Sequence, residues 1–197
     1  MAKKYYAVRS GRQTGIFESW DECKRQVTGF KGAAFKGFET REDAEMFMNG
    51  QNVSDSGPRS GAVTAYVDGS YNIKTKVFSY GAVIFDNGEV KMNEAFSDEE
   101  LAQMRNVAGE IKGAMAAMSY CVEHGKTKLD LYYDYEGIEK WCTGEWKTNK
   151  RGTIEYKAFY ESVRDRLDIR FVKVKGHSGD KYNDMADRLA KDAAGVE

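Results

Sequence analysis

Residues 100–122 carry apolar side chains at Leu101, Met104, Ala108, Ile111, Met115, Met118 and Val122, in alternating steps of three and four. Only an α-helix gathers such positions onto one face, and so long a stripe needs a broad apolar surface to cover it. The preceding sequence supplies that surface. Ala62–Asp68, Phe78–Phe85 and Glu89–Phe96 are strand-length runs, and Asp86-Asn87-Gly88 joins the last two as a hairpin turn. After the helix, strands at Lys128–Asp134 and Ile169–Val174 alternate with helices near 135–143 and 153–167 and at Tyr182–Ala194. Three antiparallel strands, then helix, strand, helices, strand and helix, predict an α/β domain. Its mixed five-stranded sheet is flanked by helices.

Residues 1–49 form a different kind of unit. Tyr5–Val8 and Thr14–Phe17 are short strands around the turn Ser10-Gly11-Arg12. Ser19 caps a helix from Trp20 to Val27, with Glu22 at the capping-box position. Ala33–Phe38 is a third strand, and Thr40 caps a second helix through Met48. Residues 50–60 hold the only proline and almost no apolar side chains, which is linker composition. The chain therefore divides at 1–49, 50–60 and 61–197.

A net charge of −1 argues against a nucleic-acid partner only as an average. Residues 1–38 carry eight Lys/Arg against three acids, a local balance of +5. Clustered charge is what meets phosphates. Arg9, Arg12, Lys31 and Lys36 are interleaved with Tyr6, Trp20 and Phe35. Those rings either fill a small core or remain free to pack on sugars. Three distant cysteines, no long apolar run and no signal-like N-terminus predict a cytoplasmic protein with reduced thiols and no membrane contact. Nothing in the sequence demands an oligomer, and a monomer is expected.

Four acids need a reason. Asp68 and Asp134 end apolar strands, Glu110 interrupts the helical stripe among small residues, and Asp187 lies on the last helix. Each has an ordinary reading alone: a turn for Asp68-Gly69, a helix-edge acid for Glu110, an i,i+4 pair with Lys191 for Asp187. Together, at the rim of one sheet, they would repel one another unless hard divalent cations such as Mg²⁺ or Mn²⁺ joined them. Two such ions suit an in-line displacement at phosphorus. His177, between Gly176 and Ser178-Gly179, is either a surface histidine or a proton shuttle with an unperturbed pKa near about 6.5.

Two resemblances sharpen this reading. The run Tyr6-Ala-Val-Arg-x-Gly-Arg-x-Thr-Gly-Ile-Phe-x-x-Trp-x-Glu-Cys23, followed by Ala33-x-Phe-Lys-x-Phe-x-Thr40, resembles the hybrid-binding domain that precedes many type 1 ribonucleases H. The likeness implies that Tyr6, Trp20, Phe35 and Lys36 contact an RNA/DNA or double-stranded RNA duplex, with Arg9 assisting. Tyr66-Val-Asp-Gly-Ser70, Glu110, Tyr132-Tyr-Asp134 and Val174-Lys-Gly-His-Ser-Gly-Asp180, with Asn183 and Ala186-Asp-Arg-Leu-Ala190, resemble the catalytic domain of the same enzymes.

That second likeness implies a ribonuclease H-like fold in which Asp68, Glu110, Asp134 and Asp187 hold two Mg²⁺ ions, Mn²⁺ substituting. It implies cleavage of the RNA strand of RNA/DNA hybrids to 5′-phosphate and 3′-hydroxyl ends. His177 would aid proton transfer or product release, and Asn106 would read a 2′-hydroxyl. The sequence departs from the family in three places. Tyr71-Asn72-Ile73-Lys74 replaces a Gly-Asn-Pro-Gly turn, Tyr135-Glu136 replaces Ser-Gln, and a basic protrusion is shortened to residues 141–150. Duplex RNA as substrate, or a binding protein on the same scaffold, stays open at this point.

Overall fold

The computed structural model describes residues 5–38, 41–48, 58–176 and 180–196. The chain separates into two compact units, Met1–Gly57 and Pro58–Glu197.

In the first unit, β1 (Tyr5–Ser10) is the middle strand between β2 (Gly15–Phe17) and β3 (Ala34–Phe38), all antiparallel. Helices α1 (Trp20–Val27) and α2 (Arg41–Met48) complete it. Ser19 caps α1 as expected: its Oγ accepts from the Glu22 amide and donates to the Glu22 carboxylate. Thr40 lies outside the described residues. Alternation along the strands gives two small cores, Ala7–Phe38–Ala44 on one side and Val8–Cys23–Val27 on the other. The Arg12 guanidinium donates to the carbonyls of Arg25 and Thr28, at 2.9 and 2.7 Å, and closes the C-terminal end of α1. The sequence grouped Arg12 with cations free for phosphate. Its side chain is occupied instead by carbonyls that the helix leaves open.

The second unit is a five-stranded sheet in the order β6-β5-β4-β7-β8. Its strands are β4 (Val63–Tyr71), β5 (Phe78–Phe85), β6 (Glu89–Phe96), β7 (Lys128–Tyr133) and β8 (Asp168–Lys173). The first three pair antiparallel; β7 and β8 run parallel to β4. The helices are α3 (Asn106–Glu123), α4 (Gly137–Thr143), α5 (Arg151–Val163) and α6 (Lys181–Ala194). One large core joins the sheet to the α3 stripe, including Ile111, Met118, Leu129, Leu131 and Tyr156.

The helix expected from residue 100 is broken. Leu101–Met104 is a 3₁₀ turn, and Arg105 adopts φ +54° before α3 begins. A left-handed non-glycine residue leaves no sequence mark, so the apolar stripe reads straight through it.

Arg59, in the stretch read as linker, is bound to the second unit. Its main-chain amide and Nε donate to Asp130 at 2.7 and 2.6 Å, and Nη1 donates to Asp168 at 2.6 Å. Arg170 donates to the same Asp130, which is fully buried. Two guanidiniums offset the cost of burying that carboxylate.

Candidate active site

Asp68 reaches the site through register. The antiparallel pairing of β4 with β5 continues to Tyr71 opposite Phe78, whereas its parallel pairing with β7 stops at Tyr66 opposite Tyr132. Asp68 is therefore inside a strand on one side and past the end of a ladder on the other. The sequence predicted that the strand ends at Asp68; β5 carries it three residues further. Asp134 follows β7 directly, so both acids open where β4 and β7 part.

Glu110 is set beside them by close contact of helix and sheet. A side chain at Gly69 would collide with the Asn106 carbonyl and the Glu110 amide, and one at Gly109 with the Ser79 carbonyl. These two glycines let α3 touch β4 and β5 through main chain. The result is a buried pair, with Asp68 7% and Glu110 2% exposed. They share a side-chain hydrogen bond, and the Gly69 amide donates to Asp68 Oδ1 at 2.7 Å. One carboxylate oxygen from each of Asp68, Glu110 and Asp134 lies within 4.8 Å of the other two.

Burial pushes the Asp68 carboxyl up to about 6. The hydrogen bond with Glu110 opposes the rise, and the charges of Asp134 and Asp187 add to it. Glu110 is driven well above the usual carboxylate range, first by burial and then by the charges of Asp68 and Asp134. Its Oε2 is buried without a hydrogen-bond partner. A divalent cation fits this set: it would satisfy the orphaned oxygen and relieve the repulsion among three acids. All-oxygen donors are what Mg²⁺ and Mn²⁺ take.

Asp187 is near this group but not one of the three. Helix α6 lies on β5, where a side chain at Gly81 would collide with the Ala186 carbonyl, and Ser79 Oγ donates to the Ala190 carbonyl at 2.5 Å. From there the Asp187 charge reaches Asp68, yet its Oδ2 accepts from Lys191 Nζ at 2.7 Å. The i,i+4 pair with Lys191 that the sequence offered is present, and the Asp187 charge is felt at Asp68. His177 lies outside the described residues. Gly176 sits against Asp134, and a Cβ there would come 2.5 Å from its Oδ2. Asn106, exposed at the first position of α3, lines a depression of about 340 Å³ with Arg105, Tyr135, Trp141, Asn149 and Lys150. Asp180 caps α6 through the amides of Tyr182 and Asn183, and Asp184 is exposed.

The family model described as RNase H matches residues 60–195, more than half of the chain. The chain belongs to the ribonuclease H family. The model described as Ribonuclease H1 N-terminal domain matches residues 4–48. A ribonuclease H of Schizosaccharomyces pombe is 34% identical, the alignment covering 98% of this chain and 97% of that protein. Rat ribonuclease H1 is 27% identical over 96% of this chain and 89% of its own length. The crystal structure of ribonuclease H1 from the archaeon Halobacterium salinarum superposes with a TM-score of 0.56 at 23% identity, covering 68% of this chain and 97% of that one. That likeness shows the ribonuclease H fold of the second unit.

The ribonuclease H1-type N-terminal unit displays aromatic rings. Tyr6, Trp20 and Phe35 form a row with centroids 5.6 and 5.9 Å apart, and Trp20 and Phe35 are 44% and 41% exposed. Pleat alternation sends Lys36 to the other face of β3, where its ammonium lies 5.8 Å from the Phe38 ring. Arg9 is exposed at a break in the β1–β3 register, between Val8 and Ser10. The structure thus gathers three of the five residues expected to grip a duplex into one row. Lys36 stands apart from that row.

Sequence reasoning named Glu136 only as a departure from the family and missed the ion pairs that it makes. Glu136 accepts from Lys140 and Lys173, both at 2.7 Å, and these bonds hold its carboxyl at about 2. The Lys140 partner is visible as an i,i+4 pair. Lys173 comes from a neighbouring strand, and no local pattern announces it.

Proposed function

We propose that the protein hydrolyses the RNA strand of RNA/DNA hybrids at Asp68, Glu110, Asp134 and Asp187, with two Mg²⁺ ions as cofactor and Mn²⁺ as a substitute. The observation that carries this is the buried, mutually repelling carboxylate group with one oxygen left without a partner. Such a group is costly in a metal-free fold and useful only when cations complete it.

When bound, divalent ions supply charge at the attacking and leaving oxygens of an in-line displacement. The residues do the rest. Asp68, Glu110 and Asp134 hold a fixed set of anionic oxygens at the rim of β4 and β7, while Asp187 supplies a fourth carboxylate from α6. Water attacks phosphorus, the bond from phosphorus to the 3′-oxygen breaks, and a proton reaches that oxygen. A 5′-phosphate and a 3′-hydroxyl result. His177 accepts or delivers a proton during turnover and aids product release. Asn106 offers an amide to a 2′-hydroxyl, the group that separates RNA from DNA.

Tyr6, Trp20 and Phe35 hold the hybrid by packing on its sugars, with Arg9 and Lys36 neutralising phosphate. The tether makes the second encounter intramolecular. The protein works as a monomer in the cytoplasm; its three separate, buried free thiols suit a reducing compartment. No helix among the described residues is long and apolar enough to cross a membrane.

The test is a strand-labelled RNA/DNA hybrid beside duplex RNA and duplex DNA, each in Mg²⁺ and in EDTA. Metal-dependent cutting confined to the hybrid's RNA strand is the expected result. Tight binding without cutting in Mg²⁺ or Mn²⁺ would overturn it, and cutting of duplex RNA at the same rate would replace the substrate.

A further inference from the structure

Beside the carboxylate rim stands a charged group that the proposed reaction does not use. Glu136 is two residues beyond Asp134, at the N-terminal end of α4. Its Oε2 accepts from Lys140 Nζ and its Oε1 from Lys173 Nζ, each at 2.7 Å. Lys140 is one turn further along α4, and Lys173 ends β8, the strand beside β7. All three side chains are open to solvent, at 43, 29 and 45% exposed respectively. The Lys140 ammonium also lies 5.2 Å from the Trp146 ring, which packs with Trp141 and Tyr135 at centroid distances of 5.8 and 6.3 Å. The Trp146 amide donates to the Lys140 carbonyl, so the ring's backbone is fixed beside the lysine.

We propose that Lys140 and Lys173 form a binding site for one backbone phosphate of the nucleic-acid duplex, and that Glu136 occupies this site until the duplex arrives. Two ammoniums from different elements converge on the two oxygens of one anion. A phosphodiester presents its two non-bridging oxygens as a similar fork, with the same charge. Solvent-exposed ion pairs contribute little to stability, so a carboxylate held this way is readily displaced. Counterion release favours the phosphate in the exchange. Glu136 is then an internal competitor. It weakens the hold of this rim on any duplex and speeds departure of the product. The site lies within reach of the carboxylate rim, because Glu136 follows Asp134 so closely in the chain. The inference rests on the reading of the protein as a hybrid nuclease.

The experiment uses the full chain in EDTA and measures equilibrium binding to an RNA/DNA hybrid over a salt series. Glu136→Gln is expected to tighten binding roughly three- to tenfold at low salt, and to steepen the slope of log K against log salt by about one. Lys140→Met with Lys173→Met is expected to weaken binding, flatten the slope by about one, and abolish the effect of Glu136→Gln in the triple variant. Unchanged affinity and slope in Glu136→Gln would overturn the proposal. So would a tightening that persists without the lysines, since that is a general charge effect.

Neutral methylphosphonate linkages, placed in one strand at a time, identify whether the phosphate is from DNA or RNA; insensitivity to both would also overturn it. If Glu136→Gln improves binding of inorganic sulfate in a thermal-shift assay but leaves the hybrid unaffected, the site takes free anions and the proposal fails. Cleavage by the same preparations in Mg²⁺ keeps the two conclusions apart. No cutting with a retained Glu136 effect removes the nuclease reading and leaves the phosphate site; cutting without that effect does the reverse.

Discussion

The two units present their chemistry in opposite ways. The N-terminal unit rests on two small cores and places Trp20 and Phe35 at the surface. The larger unit has one extended core and places Asp68 and Glu110 inside it. A small fold cannot bury many polar groups and remain folded, so the residues proposed to bind are on display and cost little. A larger core tolerates carboxylates that oppose its own stability. One unit's function is therefore separable from its fold, and the other's is not.

The largest effect expected from breaking this contrast is on chemistry. Asp134→Asn should lower single-turnover cleavage by roughly a thousandfold or more, about 4 kcal/mol of barrier, with hybrid affinity in EDTA nearly unchanged. Next comes the energetic cost of burial. Asp68 has a folded pKa of about 6 against 3.8 ordinarily. A carboxyl raised in this way stabilises the metal-free fold most when protonated, below pH 4, and that contribution is lost as pH rises through 6. Asp68→Asn should therefore stabilise the metal-free protein by up to about 3 kcal/mol at pH 7 and by almost nothing at pH 4, as urea unfolding at the two pH values would show. Added Mg²⁺ should reverse the ranking at pH 7, because only the wild type gains from it.

Smaller effects sharpen the other side. Trp20→Ala should weaken hybrid binding by about 1–3 kcal/mol, read by titration, and leave the melting temperature within about 2 °C. Arg12→Ala should do the opposite. It removes the closure of α1, costs roughly 1 kcal/mol of stability in chemical unfolding, and leaves the salt dependence of hybrid binding unchanged. An Arg12→Ala variant whose salt slope flattened would return that residue to the phosphate-binding set.

Much of the fold was legible because periodicity is local. The α3 stripe, the Asp86-Asn87-Gly88 hairpin and the Ser19 cap each declare themselves within a few residues. The proposed carboxylates were legible for a related reason: an acid that interrupts an apolar run is conspicuous, as Glu110 is. What escaped depends on partners distant in sequence or on backbone angles. The extension of β4 past Asp68 comes from β5, the Lys173–Glu136 bond joins the end of β8 to the start of α4, and the break at Arg105 is a single residue of positive φ. Arg12 escaped because a guanidinium spent on carbonyls has the same composition as one offered to phosphate. Lys36 escaped because pleating divides neighbours, sending Phe35 and Lys36 to opposite faces.

The Arg59 clasp has a mechanical consequence. Asp130 lies in β7 and Asp134 just past its end, four residues on, about 13 Å of extended chain. Arg59 fastens to the end of the strand away from the carboxylates, and Asp168 extends the attachment to β8. Tension arriving along the chain from before Pro58 is taken up there, through several hydrogen bonds acting together. A pull on the chain before Pro58 would therefore load that end of the sheet first, away from the acidic rim.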